Sequence, residues 1–168
     1  EPPSDEPLEN ERRTVAALFR IAHGSAYQVQ VDAGADEVAR HHIANTAVFM
    51  GYDFHLTPDG PRLIEINTNA GGALLNGLHT ASLCDPVKLA CLCSELVPVE
   101  TMRARIVETF ASELRAARPG VALRHVAIAD DHPEEQFLRP EFELFRQLFA
   151  LSGIEAQVCD VRELAYDG

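Results

Sequence analysis

Tryptophan is absent from this 168-residue chain, cysteine occurs only four times, and Lys88 is the single lysine beside 13 arginines. With 26 acidic residues the formal charge is −12, so the clustered cations that nucleic-acid phosphates or anionic lipid require are missing. No nucleic acid and no membrane is expected as a partner. No apolar run approaches the roughly 18 residues of a membrane span, and the opening EPPSDEPLENERR lacks the basic-then-apolar order of a secretion signal. A soluble, cytoplasmic protein is expected. Cys84, Cys91, Cys93 and Cys159 fall mostly in apolar segments, and Cys91 and Cys93 would face different sides of one helix, unlike the paired ligands of a zinc knuckle. They read as buried reduced thiols, which fits a reducing compartment. Without tryptophan, nothing aromatic lines a sugar cleft, so a glycosidase use of carboxylate pairs is disfavoured.

The apolar fraction of 46% belongs to a globular chain of one ordinary domain or two small parts. After a Pro-rich acidic start, Leu8, Val15, Leu18, Phe19 and Ala22 recur at helical spacing from Pro7 to His23, and Gly24 is placed to end the helix. Tyr27-Gln28-Val29-Gln30-Val31 alternates like a strand or lies in a loop. Asp36 opens a second expected helix to Asn45, on which His41 and His42 point in different directions and do not make a metal pair. Asp85-Pro86 through Val97 fits a helix, and Thr101 to Arg118 a longer one carrying Met102, Ile106, Phe110 and Leu114. From Val121 the pattern becomes strand (VALRHVAIAD), helix (Pro140 to Leu151) and strand (Ile154 to Cys159), a βαβ unit whose strands should run parallel. Functional residues are expected at its strand ends, Asp130, Asp131 and Asp160. The fold class is therefore α/β: a helical first part with a β-hairpin over 1–98, then a Rossmann-like part over 99–168. Two parallel strands need more partners than the chain contains, so the second part reads as truncated.

The chemistry concentrates in residues 47–72, AVFMGYDFHLTPDGPRLIEINTNAGG. Two strand-like runs flank Thr57-Pro58-Asp59-Gly60, a turn in which proline presets φ and glycine accepts a positive one. Alternation then puts Tyr52, Phe54, Leu56, Ile64 and Ile66 on a packing face and Asp53, His55, Glu65 and Asn67 on the other. With the usual bulge at Gly60, Asp53 falls opposite Glu65, and two facing carboxylates repel unless a cation lies between them. A hard ion such as Mg²⁺ takes one or two such oxygens and completes its shell with water or phosphate. Acidic residues on the wet face of a hairpin are ordinarily just solvated. Here, however, Thr68-Asn69-Ala70-Gly71-Gly72 follows, whose glycines permit close approach of backbone to a ligand. The connection from Gly71 to Gly77 reads as small and flexible.

From Asp53 through IEINTNAGG the sequence resembles the magnesium-binding segment of ATP-grasp carboxylate-amine ligases, whose last acidic strand carries a Glu-x-Asn metal pair. That segment lies early here, and the order is similar to the circularly permuted branch that includes eukaryotic-type glutathione synthetase and, less closely, glutathionylspermidine synthetase. The resemblance covers residues 45–168 and implies Glu65 and Asn67 as Mg²⁺ ligands, Asp53 as a catalytic neighbour, and Asn69, Ala70, Gly71 and Gly72 as substrate-binding. The glutathione synthetases tend to carry serines where this chain has Ala70, Gly71 and Gly72, a departure that bears on which product is made. It implies ATP as cosubstrate, with a carboxylate activated to an acyl phosphate that an amine attacks. With one lysine the chain lacks the phosphate-holding lysines of the ATP lobe, so it reads as an N-terminal portion that is inactive alone. Carboxylate and amine substrates are the expected partners, with a homo-oligomer open. VAIADDHPEEQ is also similar to the opening of a response-regulator receiver, though the chain does not reach that fold's acceptor Asp or Lys. A non-catalytic binding or assembly module on a ligase-like fold is the alternative from another class.

Overall fold

The computed structural model describes residues 6–41, 44, 47–83 and 97–165. They form a mixed α/β fold of helices and two small sheets: α1 (Glu6–Ala22), α2 (Ser25–Gly34), β1 (Gly51–Thr57), β2 (Gly60–Asn67), α3 (Ala73–Leu83), α4 (Val99–Ala117), β3 (His125–Asp130), α5 (Arg139–Leu151), β4 (Glu155–Asp160) and a short 3-10 turn, Val161–Glu163. No helix among the described residues is long and apolar enough to cross a membrane. The helix expected over 85–97, with Cys84, Cys91 and Cys93, lies outside the described residues. Two compact units divide the chain: residues 1–44 with 50–69, and residues 45–49 with 70–168. The chain passes between them at 44–45, 49–50 and 69–70, while the division between two structural parts expected near residue 98 comes just after the undescribed residues 84–96.

The first unit contains α1, α2 and the β1–β2 hairpin. In α1 the apolar positions Leu8, Val15 and Phe19 border, with Tyr52 and Phe54 of β1, an open groove of about 490 Å³. Helix α1 stops where His23 N–H bonds Phe19 O and Gly24 N–H bonds Ile21 O. Gly24 is extended rather than left-handed and opens α2 at once. The strand-like run Tyr27–Val31 is therefore helix. Among the described residues the strands pair only as β1–β2 and β3–β4, so none pairs with this run, and a helix satisfies its own backbone without one. The helix expected from Asp36 is a turn in its described part: the Asp36 side chain accepts from Ala39 N–H at 2.9 Å, and Arg40 N–H and His41 N–H bond Asp36 O and Val38 O. An aspartate serves a turn as readily as a helix start.

The second unit holds the core. β3 and β4 pair in parallel, in register from His125↔Glu155 to Asp130↔Asp160, joined through α5 as the βαβ pattern requires. Leu74, Ile106 and Leu148 are buried at the centre, with Phe49, Leu78, Met102, Phe110, Leu144 and Phe145 packed around them. Phe110 meets Phe149 edge to face at 5.1 Å between centroids and Phe145 at 6.0 Å, the arrangement the ring quadrupole favours. Phe149 is 1% exposed. Of the flexible connection expected at Gly71–Gly77, Ala73 onward is helix α3: Leu74 is buried, and apolar burial there outweighs the cost of fixing the backbone.

Candidate functional site: an acidic hairpin face

Thr57 and Gly60 pair directly around Pro58-Asp59, with Gly60 at φ +105° and the Thr57 hydroxyl donating to Gly60 O at 2.7 Å. Asp53 stands opposite Glu65 and Gly51 opposite Asn67. The register shift that produces this pairing lies between Asp53 and Phe54, where Ile64 is the extra residue, and not at the turn. A bulge inverts the parity of its strand, so Leu63, opposite Phe54, takes the packing side that alternation assigned to Ile64. Ile64 itself is 66% exposed. Arg62, which the sequence pattern left out, comes opposite His55 and so shares a face with the carboxylates.

Asp53 and Glu65 are exposed and Asn67 half-buried. The three are carried on one face by strand pairing alone, since residues opposite in an antiparallel ladder point the same way. No side chain among the described residues forms a hydrogen bond or ion pair with Asp53, Glu65 or Asn67. Two carboxylates and an amide oxygen, without a side-chain partner among the described residues, are donor types a hard cation takes from one or two protein ligands. Among the described residues no three His, Cys, Asp or Glu side chains gather into a metal-holding group, as a closed all-protein cage would require. Donors of this kind would suit a Mg²⁺ that keeps most of its water or phosphate ligands.

Asn69 belongs to the first unit, and Ala70, Gly71 and Gly72 belong to the second. The two glycines have an internal reason. Gly72 is buried at φ +90°, and a Cβ on Gly71 would come within 2.4 Å of Leu138 Cδ1. Beneath them lies Glu141, 3% exposed. Its Oε2 accepts from Gly72 N–H at 2.5 Å, and its Oε1 accepts from Leu74 N–H at 2.9 Å and Leu75 N–H at 3.2 Å. The free N–H groups at the start of α3 are thus met by a side chain from α5, as an N-terminus with its partial positive charge favours. A periodicity argument had a signal for Glu141: it precedes Phe145, Leu148 and Phe149 at spacings of four, seven and eight, on the apolar stripe of α5.

At the carboxyl ends of β3 and β4, Asp130 and Asp160 lie opposite each other. Asp160 is bidentate with Arg162 and accepts from the N–H groups of Arg162 and His132. The Arg162 side chain first, then these amides, hold the Asp160 carboxyl well below the usual carboxylate range. His132 has a left-handed φ of +46°. It borders a pocket of about 280 Å³ with Pro133, Glu134, Glu135, Cys159 and Asp160. The cap Asp160-x-x-Glu163 was readable as a capping-box pattern. Arg162 already neutralises the strand-end aspartate, which leaves Asp53 and Glu65 as the facing carboxylates without a described cationic partner.

No protein-family model, no curated protein and no solved structure matches the chain.

Proposed function

We propose that this chain is part of an ATP- and Mg²⁺-dependent ligase that joins a carboxylate to an amine, with the nucleotide-binding lobe supplied outside the segment. The observation that supports it is the pairing of Asp53 with Glu65, with Asn67 two residues further on the same face. A like-charged pair directly across an antiparallel ladder is destabilising by about 0.2–1 kcal/mol, so a bound cation gives the arrangement a purpose that solvation does not. Glu65 and Asn67 would hold the ion by their oxygens, and Asp53 would act behind them or hold the ammonium form of the incoming amine. When bound, Mg²⁺ supplies charge neutralisation for the phosphates. The substrate carboxylate displaces ADP at the terminal phosphorus; the amine, once it has given up its ammonium proton to solvent, then displaces phosphate at the acyl carbon and loses a second proton as the amide forms. On the segment that follows, Gly72 N–H is committed to Glu141, so substrate contact falls to Asn69, Ala70 and Gly71.

ADP release by the full-length protein, assayed against a panel of amines and peptide-like acids, tests the reading. Glu65→Ala should lower it by about 100-fold or more, as expected when a charge that acts in the transition state is removed. Mn²⁺ added to the 168-residue chain should broaden the side-chain resonances of Asp53, Glu65 and Asn67 before all others. Undiminished ADP release by Glu65→Ala removes the metal assignment, whereas no ADP release by the parent with any acid or amine favours an assembly module on the same fold.

A further inference from the structure

We infer that Glu141 is a positioning residue for the Ala70–Gly72 segment: its buried carboxylate, acting through the amides of Gly72, Leu74 and Leu75, fixes the backbone from which Ala70 and Gly71 contact substrate. The role rests on the ligase reading for what the segment touches, and on geometry alone for the latch. Both carboxylate oxygens are engaged, one on Gly72 N–H and the other shared by Leu74 and Leu75 N–H. A buried carboxylate loses its hydration and is tolerated only where such bonds replace it. On the stripe of α5 that carries Phe145 and Leu148, packing alone would select an apolar side chain.

Gly71 and Gly72 complete the latch. The Cβ that Gly71 lacks would lie 2.4 Å from Leu138 Cδ1 and 3.6 Å from Glu141 Oε2, so the segment rests directly on the first turn of α5. Gly72 turns the chain into α3 at a φ that other residues rarely adopt. The carboxylate therefore selects one conformation of the segment, and a neutral replacement leaves at least one of the amides it bridges without its acceptor. Glutamine retains a single carbonyl oxygen and turns an NH₂ toward the remaining N–H groups.

Amide hydrogen exchange on the 168-residue chain reads the latch without reference to any reaction. In Glu141→Gln the amides of Gly72, Leu74 and Leu75 should exchange about tenfold or more faster, while those of Ile106, Phe110 and Phe145 stay within about twofold of the parent. Glu141→Asp keeps the charge but is a methylene short, and should give the same local pattern where the glutamine variant folds poorly. Unchanged exchange at the three amides overturns the proposal, and so does uniform acceleration across the unit, which marks a merely structural residue. In the full-length protein, Glu141→Gln should raise KM for the amine about tenfold with kcat within about threefold, whereas Glu65→Ala acts on kcat. A normal KM beside locally faster exchange also overturns the positioning role. Absence of ADP release by the parent protein with every acid and amine would instead remove the ligase reading, leaving the latch to be decided by exchange.

Discussion

The two units bury their apolar residues to very different degrees. In the unit of residues 45–49 and 70–168 Leu74, Ile106, Leu148, Phe149, Ile154 and Cys159 are buried, and Phe49, Phe110, Phe145 and Phe149 interlock. In residues 6–41 and 50–69 no described side chain is buried, and Ile21, Val29, Val38, Leu56 and Ile64 are all more than half exposed. A hairpin and two helices give too little area to enclose a core, and a two-stranded ribbon is marginal by itself. The carboxylates that carry the proposed chemistry therefore stand on the less supported unit. The core stands with the unit that contributes the Gly71–Gly72 segment.

The comparison is tested most severely by matched truncations. Phe149→Ala removes a ring that is 1% exposed and should cost about 3–5 kcal/mol, as large-to-small core substitutions do. Phe19→Ala, at a ring 42% exposed on α1, should cost less than about 1 kcal/mol, since surface substitutions away from a core feature rarely cost more. Urea unfolding followed by circular dichroism measures both. Equal losses would mean that α1 packs far more tightly than its exposure indicates.

What the sequence revealed follows the same division. Helices α1, α4 and α5 and the β3–α5–β4 unit were legible because each carries a long apolar period and a stop signal, such as Pro119-Gly120 after α4. The α2 segment was misread because five alternating residues fit a strand or a helix equally, and only the absence of a pairing partner decides. Helix α3 was misread because glycines and small residues signal a loop, while its stabilising partner, Glu141, lies 69 residues after Gly72. The Asp53–Glu65 pairing was legible, but the bulge at Ile64 was not. No local rule separates a shift beside the turn from one four pairs further along, and that shift decides that Arg62 shares a face with the carboxylates.

A smaller effect isolates the like-charge pair. Asp53→Asn should raise the stability of the hairpin-bearing unit by about 0.2–1 kcal/mol in the absence of divalent ions, by removing repulsion across the ladder. Saturating Mg²⁺ should narrow that gap, because an ion bound only to the folded state stabilises the parent more than the variant. Exchange rates of the β1 and β2 amides, with and without Mg²⁺, measure both. A loss of stability in Asp53→Asn without metal would mean that Asp53 serves the hairpin rather than a ligand.

The smallest effect lies on the surface of the well-packed unit, where a carboxylate does have a cation beside it. Glu143 on α5 accepts from Arg146 Nε at 2.8 Å and Nη2 at 2.5 Å, and from Gln147 at 3.2 Å. The Arg146 bonds first, and Gln147 second, lower its carboxyl from the ordinary 4.5 to about 2. The sign follows from linkage: a carboxyl with a depressed folded value contributes stability that is fully present near neutrality and is lost as pH falls from 4.5 through about 2. Because the pair is exposed, that contribution is small and screened by salt. A carbon-detected titration should place the Glu143 midpoint near 2, and Arg146→Met should move it back toward 4.5 with the unfolding midpoint nearly unchanged. A midpoint that stays low without Arg146 would transfer the cause to Gln147 or Arg139. The contrast with the hairpin would then no longer rest on a cation partnering one carboxylate and not the other.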